Sequence, residues 1–265
     1  MANYLRTEGI CLRRLAYSNT SQVASFLTPD SGRLSFMAKG VTRAPKKGIR
    51  TGFDLLGRYE ILYTPRRPGA LQNLTYRWLR EDFHGIRRSL RGILCGYYAA
   101  ELALNFTIEG DPCPRLYAVM LEALRRFAAG QFLGMNVLVL ELAVLREHGT
   151  CPAFDRCAEC GRPLPERGPV TFSPADGGPL CPRCEQPERG KTIPVRADFL
   201  RDLHRLASGA DPQPLPPERV VALSTVVRFH MRWLLDKELR MWKYLQRRQL
   251  SKSLRRVRRH ARNQL

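Results

Sequence analysis

Residues 151 to 184 read CPAFDRCAECGRPLPERGPVTFSPADGGPLCPRC. Cys157 and Cys160 form one C-x-x-C, Cys181 and Cys184 another, with 20 residues between them. Four thiolates at this spacing suit a tetrahedral zinc site, because each C-x-x-C turn presents two sulfurs and leaves turn amides free to donate to them. The pattern constrains the fold: a Pro/Gly-rich insert of about 149–190 must double back so that two knuckles meet. SPADGG between the pairs supplies the reversal, and Gly161 suits the left-handed conformation a knuckle needs, whereas Glu185 is less favourable at the equivalent place. Disulfides, a thioredoxin-like redox pair and coincidence compete with zinc. The first lacks a secretory leader, the second a flanking βαβ pattern, and the third must explain both pairs in one insert. A shell of four thiolates leaves no open position for water, so the site is expected to stabilise an insert with no core of its own rather than to catalyse. His148 and Cys151 lie nearby without knuckle spacing. Cys11, Cys95 and Cys113 are scattered and read as small apolar packing groups.

The first 80 residues carry period-two signals. EGICLRRL, QVASFLT, RLSFMAKG, GRYEILYT and LQNLTYRWL are five candidate strands separated by turn residues, with Leu34, Phe36 and Ala38 on one face and Tyr59, Ile61 and Tyr63 on another. Five short strands in about 80 residues predict a small barrel of the OB type. From residue 81 the period becomes helical. The stretch 86–107, a helix with Leu116, Val119, Met120, Leu124 and Phe127 on one stripe, and the apolar run 132–147 predict a bundle. RADFLRDLHRLASG and a long helix bearing Val220, Leu223, Val227, Met231 and Leu234 follow the insert. The expected class is α+β: an OB-fold at 1–80, a helical domain at 81–250 holding the four-cysteine zinc module, and a basic tail at 251–265.

A formal net charge of +20 is large for 265 residues, and its placement is uneven. Residues 1–80 hold 14 Lys/Arg against 4 Asp/Glu, residues 237–265 hold 11 against 1, and the middle balances. Charge segregated to both ends predicts a polyanion partner, nucleic acid before an acidic membrane surface, since neither end shows the apolar face of an interfacial helix. The most apolar segment, FLGMNVLVLELAVL, is too short to span a bilayer and contains Glu141, so a buried helix, no membrane span and a cytoplasmic, nucleoid-associated location are expected.

FMAKGVTRAPKKGIR, residues 36–50, does not match the G-x-x-x-x-G-K-[ST] phosphate loop. No H-E-x-x-H or deaminase motif is present, and Glu8, Asp30, Asp54 and Glu60 are too dispersed for a nuclease centre. No catalytic residues are assigned, and a non-enzyme is expected, with a metal-dependent nuclease as the enzymatic competitor. The residues expected to track nucleic-acid phosphates are Arg13, Arg14, Lys39, Arg43, Lys46, Lys47 and Arg50. Tyr17, Phe36 and Tyr59 are available as stacking platforms or as core. In the tail, Arg255, Arg258, Arg259 and Arg262 share one helical face or belong to a disordered cationic segment; either state would bind a polyanion.

The order of TEGICLRRLAYSNTSQVASFLTPDSGRLSFMAKGVTRAPKK, helices, CAECGRPL and FSPADGGPLCPRC resembles the RecO family of bacterial recombination mediators over nearly the whole chain. The resemblance implies an N-terminal OB-fold, a helical domain with an embedded zinc module, binding to single- and double-stranded DNA, and strand annealing. It also implies assistance to RecA loading on DNA coated by single-strand-binding protein, with RecR as partner. The family's DNA-binding residues map onto Arg13, Arg14, Lys39, Arg43, Lys46 and Lys47. A zinc-ribbon RNA-binding or ribosome-associated OB-fold protein is the alternative, since basic OB-folds serve RNA equally well.

Overall fold

Strands β1 (Leu5–Ala16), β2 (Gln22–Thr28), β3 (Gly32–Ala38), β4 (Arg58–Thr64) and β5 (Gln72–Glu81) close a barrel in the order β1-β2-β3-β5-β4 in the computed structural model, which describes residues 4–40, 52–67, 69–186, 190–209 and 213–245. Every pairing is antiparallel except β3 with β5. The five strands expected from the alternation all form, because their inward residues are large enough to fill a barrel this small. Phe26 is the centre of that interior. Its ring meets Phe36, Phe53 and Tyr59 edge-on at 5.6, 5.0 and 5.9 Å. T-shaped aromatic pairs of this kind add about 0.5–1.5 kcal/mol each beyond the area they bury.

The outer face of β1 has a second role. By alternation Cys11 points into the barrel while Ile10 and Leu12 join Leu27 and Leu56 in the core of the helices, and a bulge between Cys11 and Arg13 then leaves Arg13 on the outer side as well. A bulge adds one residue to one strand and so re-aims the side chains that follow it. The helical body comprises α1 (Leu90–Phe106), α2 (Pro114–Ala129), α3 (Leu133–Glu147), α4 (Ala197–Ala207) and α5 (Pro217–Leu235). The expected start at residue 86 shifts: His84–Arg88 is a 3-10 turn, and α1 begins after Ser89, whose hydroxyl accepts from the Gly92 amide at 3.0 Å. A side chain at Gly85 would meet the Ala128 carbonyl, so this turn packs directly on the end of α2.

Helix α3 is apolar on nearly every side and runs through the middle of the body. Its one acid before the last turn, Glu141, is fully buried. Glu141 Oε1 accepts from Tyr98 Oη at 2.6 Å and from Arg228 Nε at 2.5 Å, and the Arg228 guanidinium lies over the rings of Tyr98 and Trp242. Burial pushes the Tyr98 hydroxyl well above its ordinary value, and the Glu141 charge beside it acts in the same direction.

The cysteine insert carries β6 (Pro169–Ser173) and β7 (Gly178–Leu180), joined by a turn, and β8 (Ile193–Arg196), in the order β7-β6-β8. The insert, expected to have no core of its own, packs on the core of the helices. Phe154, Val170, Phe172 and Val195 are buried within the main helical core, Phe172 edge-on to His230 of α5. Alternation in β6 makes one face of this small sheet apolar, and that face has the helices to pack against.

The segment between α1 and α2 docks on the β2–β3 turn. The Cys113 amide donates to the Pro29 carbonyl at 3.1 Å, Arg33 N to Ile108 O at 3.2 Å, and Gly110 N to Ser31 O at 3.1 Å. Gly32 makes this approach possible: its φ is +55°, and a Cβ there would lie 2.2 Å from the Asp111 carbonyl oxygen. Backbone pairing and a shared core fuse barrel and helices.

Candidate nucleic-acid interface and metal centre

Two groups of residues carry chemistry, one on the barrel and one in the insert. On the barrel, Arg13, Arg14 and Lys39 are exposed. Arg13 stands opposite Ser25, on the outer side of β1 because of the bulge. Arg14 lies opposite buried Ala24, and its Nη1 donates to the Phe53 carbonyl at 2.6 Å, so part of its donor fork is committed to the fold. Lys39 follows the end of β3. It is offset from Arg13 along the sheet: Arg13 stands across from Ser25 and Ser25 from Ser35, four residues before Lys39. Arg43, Lys46, Lys47 and Arg50, and the tail after residue 245, lie outside the described residues.

The aromatics divide. Phe36 and Tyr59 are core; burial raises the Tyr59 hydroxyl despite a hydrogen bond of 2.8 Å from the Asp54 amide. Tyr17, at the β1–β2 turn, is 68% exposed. Sequence reasoning missed an exposed pair on β5, Tyr76 and Trp78, whose ring centroids are 4.4 Å apart. Plain alternation hid it: Leu74, which packs against the barrel interior, has the parity of Tyr76 and Trp78, and the register shift at Leu62/Tyr63 turns the pair outward.

In the insert, Cys157, Cys160, Cys181 and Cys184 bring their Sγ atoms within 4.8 Å of one another. A tetrahedron of zinc–thiolate bonds near 2.3 Å has edges of roughly 3.8 Å, and the Cys160 and Cys181 sulfurs are 3.8 Å apart. Gly161 adopts φ +70°, and its amide turns back to the Cys157 carbonyl at 2.9 Å. The second knuckle closes without a left-handed residue, through Cys184 N and Glu185 N donating to Cys181 O at 2.9 and 3.1 Å. The Cys181 amide donates to Cys157 Sγ at 3.3 Å. Burial pushes the Cys157 thiol up, but backbone amides, those of Cys160 and Cys181 foremost, outweigh it and bring the group down to about 6. Burial and then the neighbouring sulfurs push Cys184 up to about 12. Four sulfurs gathered this closely, with amides aimed at them, can hold a metal ion. His148 and Cys151 are not among the four. Cys11 and Cys95 are buried thiols, pushed by burial to about 12 and about 11, as expected of packing groups.

The model of the Recombination protein O N-terminal domain matches residues 1–80, and that of the C-terminal domain matches residues 87–243. The chain belongs to the RecO family. A DNA repair protein RecO from Rhodopirellula baltica is 33% identical over 214 residues, covering 80% of this chain and 77% of its own. Another from Anaeromyxobacter sp. (strain K) is 31% identical over 237 residues, covering 86% and 91%. The fold of this RecO family member is therefore an OB barrel followed by helices, with the cysteine cluster placed within the helical region. No helix among the described residues is long and apolar enough to cross a membrane.

Proposed function

We propose that the chain is a non-enzymatic DNA repair protein that binds single- and double-stranded DNA, anneals complementary strands and assists RecA loading onto DNA coated by single-strand-binding protein, with RecR as partner, in the cytoplasm. The observation that carries this reading is membership of the RecO family over both domains, joined to a barrel whose charge excess is presented outward by Arg13, Arg14 and Lys39. Cations spread along strands and loops grip a sugar-phosphate backbone without reading sequence. Annealing needs two strands held with their charge neutralised, which basic regions at both ends of the chain support. The test is acceleration of annealing of complementary DNA strands, alone and with single-strand-binding protein present. No acceleration, with tight RNA binding instead, favours the ribosome-associated alternative; metal-dependent cutting favours a nuclease. Lys46→Ala with Lys47→Ala is expected to weaken binding to all sequences alike and to flatten the salt slope by roughly one to two units.

Zinc at Cys157, Cys160, Cys181 and Cys184 belongs to the same proposal. The ion would tie the two knuckles together and fix β6 against the helices, with all four positions taken by thiolates. Metal analysis of purified protein is expected to give about one zinc per chain, falling to near zero in Cys157→Ser/Cys160→Ser. No metal in the wild type refutes the assignment.

A further inference from the structure

On the barrel's outer face, five side chains from β1, β4 and β5 make an arrangement that the basic residues above do not account for. Across the strands, Arg6 pairs with Leu62 and Leu62 with Tyr76, while Glu60 pairs with Trp78. Tyr76 and Trp78 are 54% and 42% exposed, their rings in contact and tilted by 45°. Glu60 accepts from Arg80 Nε at 2.9 Å and is ion-paired with Arg6 as well. The exposures decide what a ligand meets. The Glu60 side chain is 12% exposed, whereas those of Arg6 and Arg80 are 69% and 51%. The carboxylate lies underneath and two guanidiniums, with donors to spare, face solvent.

An aromatic platform beside outward guanidiniums suits a chain of bases and phosphates. Neighbouring strands are about 5 Å apart and residues two apart on a strand about 7 Å, so Arg80 is one step from Trp78 and Arg6 two strands from Tyr76. Those steps are within the span of one or two nucleotides. Arg13 is seven residues along β1 from Arg6, roughly 20 Å, so this is a separate patch of the barrel.

We propose that Tyr76 and Trp78 form a stacking platform for unpaired nucleobases, with Arg6 and Arg80 receiving the flanking phosphates; this rests on the DNA-binding reading above. Duplex bases are already stacked and paired, so the platform serves single strands alone, and it would let the protein hold an unpaired strand while Arg13 and Lys39 track a backbone elsewhere on the barrel.

The test measures binding of a fluorescein-labelled oligothymidine and of a duplex across a salt series, for the full chain and for Trp78→Ala, Trp78→Phe and Arg6→Ala/Arg80→Ala. Trp78→Ala is expected to weaken single-strand binding about tenfold with an unchanged salt slope, to leave duplex binding within about twofold, and to be rescued by Trp78→Phe. Arg6→Ala/Arg80→Ala is expected to flatten the single-strand slope by about one unit. In a Trp233→Phe/Trp242→Phe background, where Trp78 is the one tryptophan left, the oligothymidine should quench its emission. Single-strand binding by Trp78→Ala equal to that of the unaltered chain overturns the platform and leaves this face to a protein partner. An equal loss for single strand and duplex overturns it too. If the unaltered chain binds neither DNA, the DNA-binding reading falls and takes the platform with it.

Discussion

The two outer faces of one barrel have opposite fates. Toward the helices, Ile10, Leu12 and Leu27 are buried in a core shared with α1, α2 and α3; on the other side, Arg6, Tyr76, Trp78 and Arg80 face solvent. Both faces use β1. The covered face contributes stability, and the open face is free for ligands because the barrel's interior, centred on Phe26, is filled without it. Separating folding from binding in this way allows a surface to hold cations and exposed rings at little cost to the fold.

The strongest way to break the covered side is to strike the core it joins. Glu141→Ala leaves Arg228 buried without its carboxylate, and a loss of roughly 3–5 kcal/mol is expected from urea denaturation. If the shared core makes barrel and helices one cooperative unit, barrel and helix signals should be lost in a single transition; two separate transitions would show the junction to be weak. Leu12→Ala, at the junction itself, is expected to cost about 3 kcal/mol while leaving the aromatic interior of the barrel intact.

Changes on the open side should cost binding and not stability. Arg13→Ala with Lys39→Ala is expected to leave the urea midpoint unchanged and to lower the single-strand salt slope by about one unit, measured by titration at several salt concentrations. A stability loss instead would mean that these cations serve the fold. The smallest effect concerns acid. Hydrogen bonding from Arg80, helped by the charge of Arg6, holds the Glu60 carboxyl below its ordinary value. A carboxyl depressed in the folded state contributes stability that is present above the ordinary carboxylate range and lost as pH falls below it. Glu60→Gln should therefore narrow the gap between the urea midpoints at neutral and acid pH, slightly, because the pair is open to water.

Much of this was legible before folding. Period-two alternation found all five barrel strands, because the inward positions of a narrow barrel are mostly apolar and recur every second residue. The C-x-x-C pairs placed the four cysteines together, because knuckle spacing is local geometry. Boundaries were less legible: α1 starts at Leu90 and not near residue 86, since packing of Gly85 on α2 favours a 3-10 turn. The anchoring of the insert was hidden too. Phe172 reads as one apolar residue in a Pro/Gly-rich stretch, and only the position of α5 makes it core.

The sequence by itself determined which segments become strands or helices, where the cysteine knuckles turn and where charge accumulates, because each depends on neighbours a few residues away. Tertiary structure decided which face of the barrel is covered, that Glu141 and Arg228 meet from 87 residues apart, and that Arg6, Glu60 and Arg80 stand beside Tyr76 and Trp78. Those outcomes depend on strand register and on a one-residue bulge, and contacts between distant segments leave no local pattern to read.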